Sequence, residues 1–574
     1  MQDSNLSPSD VIQAQLRQAA SLHSARRLAE AETLYKRILA ARPDFAEVQI
    51  QCAVAQLGLG KQADAEALLR AAIKNRPNEP AAHYYLADSL SMQGQLEAAV
   101  ASYRRALSLQ PNHAAAHNNL GNALLLLGRL GEAEEAYDQA LALNPNLART
   151  HNNLGLIRLR TGRLEEARAA FGRALALAPN YAEAQNNLGI ALQKLGMAPD
   201  AEAAFRTATR LAPNFVNAFL NLSACLHDRG LAPQAEEAAR AALRLGPNHV
   251  EALAVLGNSL RAQGKLDQAE TAYREALRIK PDFADGHRLL AMLVAEQGRL
   301  EEAFGLFTDH ARLVYGTNSK LDAVQTAHKR EHDAAQQAWL GPRAAPFLIA
   351  DRGRVEGPAV NVPRTKVADI WRTSHPQLVV VDDFLTPQAL ERLRRFCLES
   401  TIWQKTYEGG YLGAFPEHGF APPLLAQIAE EMREAYPSII ADHPLLHFWA
   451  FKYDSELQGI RKHADFAAVN VNFWITPDDA NLDPAHGGLV VWDAAAPLDW
   501  DFARYNAAEK DMEAFLESRN AKPITIPYRC NRAVIFDSDL FHETDTFRFK
   551  TGYENRRINV TLLFGRRDPQ SRRA

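Results

Sequence analysis

"HNNLGNALLLLGRLGEAEEAYDQALALNPN" at residues 117–146 returns at residues 151–180 as "HNNLGLIRLRTGRLEEARAAFGRALALAPN", a step of 34 residues. The same step connects eight prolines, which are Pro43, Pro77, Pro111, Pro145, Pro179, Pro213, Pro247 and Pro281. It also connects nine alanines, which are Ala31, Ala65, Ala99, Ala133, Ala167, Ala201, Ala235, Ala269 and Ala303. A fixed period of this length predicts a stacked repeat architecture.

Each repeat is expected to be a pair of helices. A third series of small residues supports this, because small side chains let two helix backbones approach closely: Ala53, Ala87, Gly121, Gly155, Gly189, Ser223, Gly257 and Ala291. The proline after each second helix cannot continue that helix and sets the turn into the next repeat. The pattern resembles the tetratricopeptide repeat (TPR) over residues 10–312, with about nine repeats. The resemblance implies an all-α superhelix with a concave groove.

A row of asparagines recurs with the same period, two positions before the small residue: Asn119, Asn153, Asn187 and Asn221. A shorter row adjoins it, formed by Asn118, Asn152 and Asn186. An amide can both donate to and accept from the backbone of an extended peptide. The rows resemble the asparagine ladder in the repeat domain of O-GlcNAc transferase, which implies that they bind a protein or peptide. The alternative is that they solvate the inner face or cap neighbouring turns.

Composition narrows the class of protein. At 574 residues the chain is too long for a single core, so two or more domains are expected. A formal charge of −4 gives no reason to expect nucleic acid or an anionic membrane as a partner. The N-terminus does not resemble a secretory signal, and no apolar run is long enough to span a bilayer. Four scattered cysteines, without a CxxC pair, indicate reduced thiols and a cytoplasmic protein.

The repeat pattern ends near residue 312. Residues 313–375 are expected to be a helical and loop linker, after which the sequence becomes rich in β-branched and aromatic residues. Strand candidates are "PQLVVVDDFL", "LLHFWAFKYD", "AVNVNFWIT", "GGLVVWD", "PITIPYR", "RAVIFDS" and "RRINVTLLFG". Short strands separated by turns predict a double-sheet β fold over residues 376–566.

A histidine and an aspartate, His463 and Asp465, precede one of these strands in "RKHADF". His542 follows the strand "RAVIF", and arginines open the last strand. With "VVVDDFLTPQALERL" and Gly487-Gly488, this order resembles the prolyl-hydroxylase-like branch of the Fe(II)/2-oxoglutarate dioxygenases. The resemblance covers residues 376–566 and implies a double-stranded β-helix, or jelly roll. It also implies that His463, Asp465 and His542 bind Fe(II), with 2-oxoglutarate as co-substrate and ascorbate as a candidate reductant.

The residue types suit this chemistry. Two imidazoles and one carboxylate on one side of Fe(II) leave coordination positions open for other ligands. In an HxD motif at the end of a strand, both side chains project to the same side. His443, His447 and His486 are competing histidines, and His486 is interpreted as a pocket or surface residue in a loop.

Binding of the co-substrate's distal carboxylate calls for a guanidinium, which forms a forked pair with it. Arg556 and Arg557 compete for this role, and strand alternation favours Arg557, with Asn559 and Thr561 on the same face. Arg556 would then point to solvent or to a surface carboxylate. Tyr453 is a candidate second donor; the alternative is a packed strand tyrosine.

The remaining expectations concern substrate and function. Asn470 and Asn472 share a strand face and are candidates to line the pocket. An insertion around residues 494–522 is either a lid over the substrate or a mere decoration. The preferred function is hydroxylation of a protein or peptide side chain held by the repeats. The alternatives are an oxygenase acting on a small molecule or glycan, with the repeats docking a partner, and a non-catalytic TPR adaptor.

Overall fold

The structure of the protein is a computed structural model. It describes residues 8–316, 327–341, 347–350, 352–361, 367–407, 410–440, 442–457, 461–500, 502–506 and 509–566. The described residues form two compact units, 1–245 and 246–574. No helix in these ranges is long and apolar enough to cross a membrane. The predicted domain limits at 312 and 375 stay predictions.

The first unit consists of seven helix pairs: α1 Pro8–Ser24, α2 Leu28–Ala41, α3 Ala46–Gly58, α4 Gln62–Asn75, α5 Pro80–Met92, α6 Leu96–Leu109, α7 Ala114–Leu126, α8 Leu130–Leu143, α9 Ala148–Arg160, α10 Leu164–Leu177, α11 Ala182–Lys194, α12 Ala198–Leu211, α13 Val216–Asp228 and α14 Ala232–Leu245. The second unit opens with two further pairs: α15 Val250–Ala262, α16 Leu266–Ile279, α17 Ala284–Glu296 and α18 Leu300–Tyr315. The predicted helical repeats are therefore confirmed.

Small residues let the helices of each pair pack closely. All nine alanines of the periodic series are fully buried. At Gly155 a Cβ atom would lie 2.6 Å from the ring of Phe171 on the partner helix, which is inside van der Waals contact. The same contact recurs with an aromatic ring at Gly121, Gly189 and Gly257. The periodic small residues thus mark the helix crossings.

The rest of the second unit is rich in antiparallel strands. Its further helices are α19 Ala327–Leu340, α20 Val367–Thr373, α21 Pro387–Glu399, α22 Pro423–Ala435, α23 Pro437–Ile440, α24 Phe502–Asn506 and α25 Glu509–Ser518. Its strands are β1 Leu378–Val381, β2 Lys405–Tyr407, β3 Tyr411–Ala414, β4 Leu445–Tyr453, β5 Glu456–Leu457, β6 Val469–Trp474, β7 Leu489–Ala495, β8 Pro523–Ile526, β9 Ala533–Asp537, β10 Leu540–Thr544, β11 Phe547–Arg548 and β12 Ile558–Phe564.

These strands form three sheets in the described residues, with the orders β1-β9-β6-β12-β4-β3-β2, β10-β7-β8 and β11-β5. All pairs are antiparallel. Each of the seven strand candidates contains a strand, and β2, β3, β5, β10 and β11 were not predicted. The described part of the predicted insertion holds α24 and α25, between β7 and β8.

Register decides which side chains share a face of the large sheet. On the strand β12, Asn559 pairs with Phe451 of β4 and with Trp474 of β6, and Thr561 pairs with Trp449 and Asn472. Since directly paired residues project to the same side, one face carries both amides and aromatic rings. On the opposite face Phe448 stacks on Phe304 of α18, with ring centroids 4.7 Å apart.

Candidate metal centre and anion site

Three predicted ligands come together at one end of the sheets. The ligand atoms of His463, Asp465 and His542 all lie within 4.8 Å of one another. In the described ranges this is the one group of three or more His, Cys, Asp or Glu side chains arranged so that it could hold a metal ion. Asp465 and His542 are buried, and His463 is half-buried.

Backbone hydrogen bonds fix the two histidines relative to each other. The amide of His463 donates to the carbonyl of His542 at 3.0 Å, and the amide of His542 donates back at 2.8 Å. The amide of Asp465 donates to the carbonyl of Ser538 at 3.0 Å. The segment before β6 is therefore tied to the start of β10 by main-chain contacts, independently of any bound ion.

Both imidazoles are oriented by a second hydrogen bond. Nδ1 of His463 lies 2.8 Å from the carbonyl of Arg461, and Nδ1 of His542 lies 3.0 Å from the carbonyl of Leu540. A carbonyl only accepts, so Nδ1 of each ring carries a proton, which leaves Nε2 as the nitrogen that can offer a lone pair to a metal. Nε2 of His542 lies 3.5 Å from Oδ2 of Asp465. Two electron-pair donors facing each other at this distance suit a cation between them.

The ionisation states agree with this arrangement. Burial, reinforced by the neighbouring His542, lowers the pKa of His463 to about 4. Burial opposes ionisation of Asp465, but the close contact with His542 outweighs it, so the pKa of Asp465 is lowered. A neutral imidazole and an ionised carboxylate are the forms that bind a metal.

A row of buried amides positions the carboxylate. Nδ2 of Asn470 donates to Oδ2 of Asp465 at 2.5 Å, and Nδ2 of Asn472 donates to Oδ1 of Asn470 at 2.8 Å. The hydroxyl of Thr561 and the amide of Asn559 donate to Oδ1 of Asn472, at 2.8 and 3.2 Å. Sequence reasoning placed Asn470 and Asn472 on one face but missed this network. The signal was the polar alternation in two otherwise apolar strands.

Arg557 is the residue predicted to bind the co-substrate's carboxylate. It is 1% exposed, its Nε donates to the carbonyl of Gly487 at 2.8 Å, and its Nη2 donates to that of Gly488 at 3.3 Å. A Cβ at position 488 would lie 1.8 Å from the carbonyl oxygen of Ile526, so only glycine fits there. Nη1 has no hydrogen-bond partner although it is buried. Burial also lowers the pKa of Arg557, so a bound anion would stabilise this guanidinium.

Tyr453 lies beside this arginine. The guanidinium carbon of Arg557 is 4.7 Å from the centre of the Tyr453 ring. The Tyr453 hydroxyl is buried without a hydrogen-bond partner, and burial raises its pKa, so it stays protonated as a donor. Two unpaired donors, Nη1 of Arg557 and the hydroxyl of Tyr453, therefore lie in one buried region. Unpaired buried donors are costly, which makes them candidates to bind an anionic ligand.

The competing residues lie elsewhere. Arg556 forms an ion pair with the carboxylate of Asp454 at 3.2 Å. His486 pairs with Asp545 at 3.0 Å and is about half exposed. The ring of His447 packs edge-on against Phe466. Neither these two histidines nor His443 belongs to the three-residue cluster.

The predicted peptide-binding asparagines donate hydrogen bonds to side chains of the preceding repeat. Nδ2 of Asn119 donates to Asp88 at 3.0 Å, and Nδ2 of Asn153 donates to Asn122 at 2.9 Å. Nδ2 of Asn187 donates to Asn152 at 3.0 Å, and Nδ2 of Asn221 donates to Asn186 at 2.8 Å. All four side chains of the predicted row are half-buried, so each retains an exposed part. Sequence reasoning did not predict these links between repeats.

Comparison with known proteins concerns the repeats. Models of the tetratricopeptide repeat match residues 22–88, 88–128, 114–147, 146–214, 186–250 and 255–314. No curated protein matches the chain.

Several solved structures match parts of the chain at low identity and low TM-score. The chain is 22% identical to a chain of the APC/C hetero-tetramer Cut9-Hcn1, covering 42% of this chain and 48% of that one, with a TM-score of 0.36. It therefore spans about half the length of that relative. YrrB, a TPR protein with an unusual peptide-binding site, is 23% identical over 34% of this chain and 98% of its own, with a TM-score of 0.30. A tetratricopeptide repeat protein from Parabacteroides merdae is 19% identical over 43% and 98%, with a TM-score of 0.36.

Proposed function

We propose that this tetratricopeptide-repeat protein uses Fe(II) and 2-oxoglutarate, bound in its sheet-rich region, to hydroxylate a protein or peptide side chain. The observation that carries the proposal is the cluster of His463, Asp465 and His542. Its two imidazoles are fixed by carbonyl partners so that Nε2 is available, and its carboxylate is ionised. This donor set matches the two-histidine, one-carboxylate site of non-haem iron oxygenases.

The arrangement of strands supports the same proposal. A double-stranded β-helix needs antiparallel strands distributed over two sheets, and the seven-stranded and three-stranded sheets supply them. His463 and His542 meet through an isolated antiparallel bridge, where the segment leading into β6 reaches β10. We assign the jelly-roll fold to residues 376–566 on this basis.

The anion site fits the co-substrate. A 2-oxo dicarboxylic acid has one end for a metal and one free carboxylate, and that carboxylate would accept from Nη1 of Arg557 and the hydroxyl of Tyr453. Both donors are buried and make no hydrogen bond of good geometry, so such a ligand would offset part of their desolvation. Trp474 and Phe547 pack around the same guanidinium and exclude water from it.

The chain's own residues would act by holding and orienting. Bound Fe(II) would supply the activation of dioxygen that hydroxylation requires, with ascorbate as a candidate reductant. His463, Asp465 and His542 would hold the ion, and Asn470 would keep the Asp465 carboxylate turned towards it. Arg557 and Tyr453 would orient the co-substrate, and the repeats would dock the substrate protein, which raises its effective concentration at the site.

The metal and co-substrate test uses the purified full chain without oxygen. Adding Fe(II) and 2-oxoglutarate should produce visible charge-transfer absorption, and Asp465→Ala should remove it. His486→Ala is the matched control, since this histidine pairs with Asp545 outside the cluster. A folded protein that shows no such absorption would refute the assignment. Mass spectrometry of cell extract treated with the native chain and with His463→Ala would then identify the hydroxylated side chains.

A non-catalytic adaptor is the second candidate. It rests on the repeats alone, since TPR models match residues 22–314 with few gaps, whatever the sheet-rich region does. The iron experiment separates the two, because an adaptor would need neither Fe(II) nor 2-oxoglutarate and would show no charge-transfer absorption.

A further inference from the structure

A large cavity adjoins the candidate metal centre. It has a volume of about 1640 Å³, and His463 and Asp465 belong to its lining. All of its lining residues lie in the second unit, residues 246–574. Pockets that enclose drug-sized molecules are usually about 300–1,000 Å³. The cavity is therefore large enough for a segment of polypeptide.

One wall of the cavity is aromatic. Tyr407, Tyr411, Phe415, Trp449 and Phe451 line it and are half-buried, so each keeps an exposed surface. They stand on β2, β3, β4 and the loop after β3. The rings of Tyr407 and Tyr411 are stacked, with centroids 4.5 Å apart and planes inclined by 7°. Rigid rings of this kind bind apolar and aromatic side chains with little loss of conformational entropy.

The opposite lining comes from the last repeats. Arg288, Met292 and Ala295 of α17 all line the cavity. Their spacing of four and then three residues places them on one face of the helix. Arg261 of α15 also lines it and forms a tight ion pair with Glu296, at 2.5 Å. The final repeats are thus part of the same cavity as the candidate metal ligands.

Arginines outnumber carboxylates in the lining of the cavity, four to three. Arg288, Arg461 and Arg566 line it with side chains that are 36%, 86% and 78% exposed. Each forms an ion pair at a long distance, 3.5 Å, 3.6 Å and 3.4 Å, and the Glu296 partner of Arg566 is already paired with Arg261. Apart from the candidate ligand Asp465, the acidic lining residues are Glu296 and Glu417. Exposed guanidinium groups with weak partners favour an anionic occupant.

We propose that this cavity binds an acidic polypeptide segment with aromatic or apolar side chains, and that Arg288 of the last repeat selects its negative charge. This inference rests on the proposed function, because the segment would present its reacting side chain to the centre at His463 and Asp465. The last repeat then helps to choose the substrate, in addition to any docking along the other repeats. The asparagine row would contact peptide backbone, so it contributes no preference between acidic and basic segments.

The test measures binding, without turnover, by fluorescence anisotropy. The full chain is loaded with Mn(II) and titrated with a short fluorescein-labelled synthetic peptide that alternates tyrosine and leucine with aspartate. A second peptide has lysine at every aspartate position. The acidic peptide should bind about tenfold more tightly or better, and its advantage should shrink with added salt, because exposed charges are screened. Equal binding, tighter binding of the lysine peptide, or no binding of the acidic peptide would overturn the proposal.

Reversing the charge at position 288 tests whether Arg288 causes the preference for the acidic peptide. Arg288→Glu should remove the advantage of the acidic peptide. Arg278→Glu is the matched control, because Arg278 of α16 is 70% exposed, pairs with Glu275 and does not line the cavity. If both variants keep the native preference, Arg288 is not the selecting residue and the proposal fails. Tyr411→Ala should weaken both peptides together, and unchanged binding there would exclude the aromatic wall.

The two proposals fail separately. Loss of the iron and 2-oxoglutarate absorption concerns the metal centre, whereas loss of the charge preference concerns the cavity. A chain with the absorption but without the Arg288-dependent preference keeps the proposed function and loses this inference.

Discussion

The helix pairs of the first unit and the sheets of the second differ in how far along the chain their contacts reach. In the repeats, Gly155 meets Phe171 on the next helix, and the same contact returns one period later between Gly189 and Phe205. In the large sheet, β1 pairs with β9, and Leu378 lies opposite Phe536. Local contacts repeat and can be lost one at a time. Non-local contacts bring unique residues together, so a single change there affects function directly.

The largest effect is expected from replacing Arg557, a residue of the sheet region that has no counterpart in the repeats. Arg557→Ala should weaken 2-oxoglutarate binding by about 2–5 kcal/mol, because the co-substrate's carboxylate loses a buried partner. Arg556→Ala is the matched control, since Arg556 pairs with Asp454. Anaerobic titration of the Fe(II) protein with 2-oxoglutarate measures both, and the reverse ranking would disprove the assigned role of Arg557.

The amide network should matter through the residue that it positions. Asn470→Ala removes the hydrogen bond to Asp465 and should lower metal affinity by about 10- to 100-fold. Calorimetric titration with Co(II) measures this, with Asn555→Ala as a control, because the Asn555 side chain bonds only to the carbonyl of Thr551. Unchanged affinity for Co(II) would show that the amide network does not position the Asp465 carboxylate for metal binding.

A larger side chain at a helix crossing in the repeats should lower the stability of the protein. Gly155→Ala places a methyl group 2.6 Å from the Phe171 ring and should lower the free energy of unfolding by about 1–3 kcal/mol. Gly172→Ala, at an exposed position of α10 with nothing within 4 Å, should instead raise it by about 0.5–1 kcal/mol. Urea unfolding measures both. If the two substitutions change the free energy of unfolding equally, the helices at the Gly155 crossing can shift to make room for the methyl group.

Acid should destabilise the second unit through His332. Burial lowers the pKa of this fully buried histidine to about 3, below its ordinary value of 6.5. Between these values the unfolded chain holds a proton that the folded chain lacks. Stability should therefore fall as pH falls below about 6.5, by up to about 1.4 kcal/mol per pH unit. His332→Phe should reduce that slope, as measured by urea unfolding at several pH values; an unchanged slope would exclude His332 as the cause.

The last prediction concerns the asparagine row of the repeats. Asn187→Ala together with Asn221→Ala should weaken a docked peptide by about 1–3 kcal/mol, the worth of a few hydrogen bonds. The lysine peptide described above is a suitable probe, because the amides would bind backbone whatever the side chains. Circular dichroism checks that the helices remain. Undiminished binding would show that the asparagine row does not contact the peptide and only solvates the inner face.

Prediction from sequence succeeded where the information was local or repeated. The helix pairs follow from a period read many times over, whereas β2, β3 and β10 are short and gave no comparable pattern. The candidate ligands were visible because His463 and Asp465 are two residues apart, shortly before a predicted strand. The bond from Asn470 to Asp465 was not visible, since it depends on the path of the backbone between β6 and the loop before it. The contribution of α17 to the cavity was not visible either, since it depends on how distant segments pack. The role of Arg557 and the metal itself stay predictions.

The mutual backbone bridge between His463 and His542 has a consequence for synthesis of the chain. Chains emerge from the ribosome N-terminus first, and N-terminal domains generally fold first. The helix pairs can therefore form early. The bridge at His463 can form only after His542, which lies far downstream, has been synthesised. A nascent or truncated chain that stops before His542 would hold folded repeats, but it would lack the bridge on which the candidate metal centre depends.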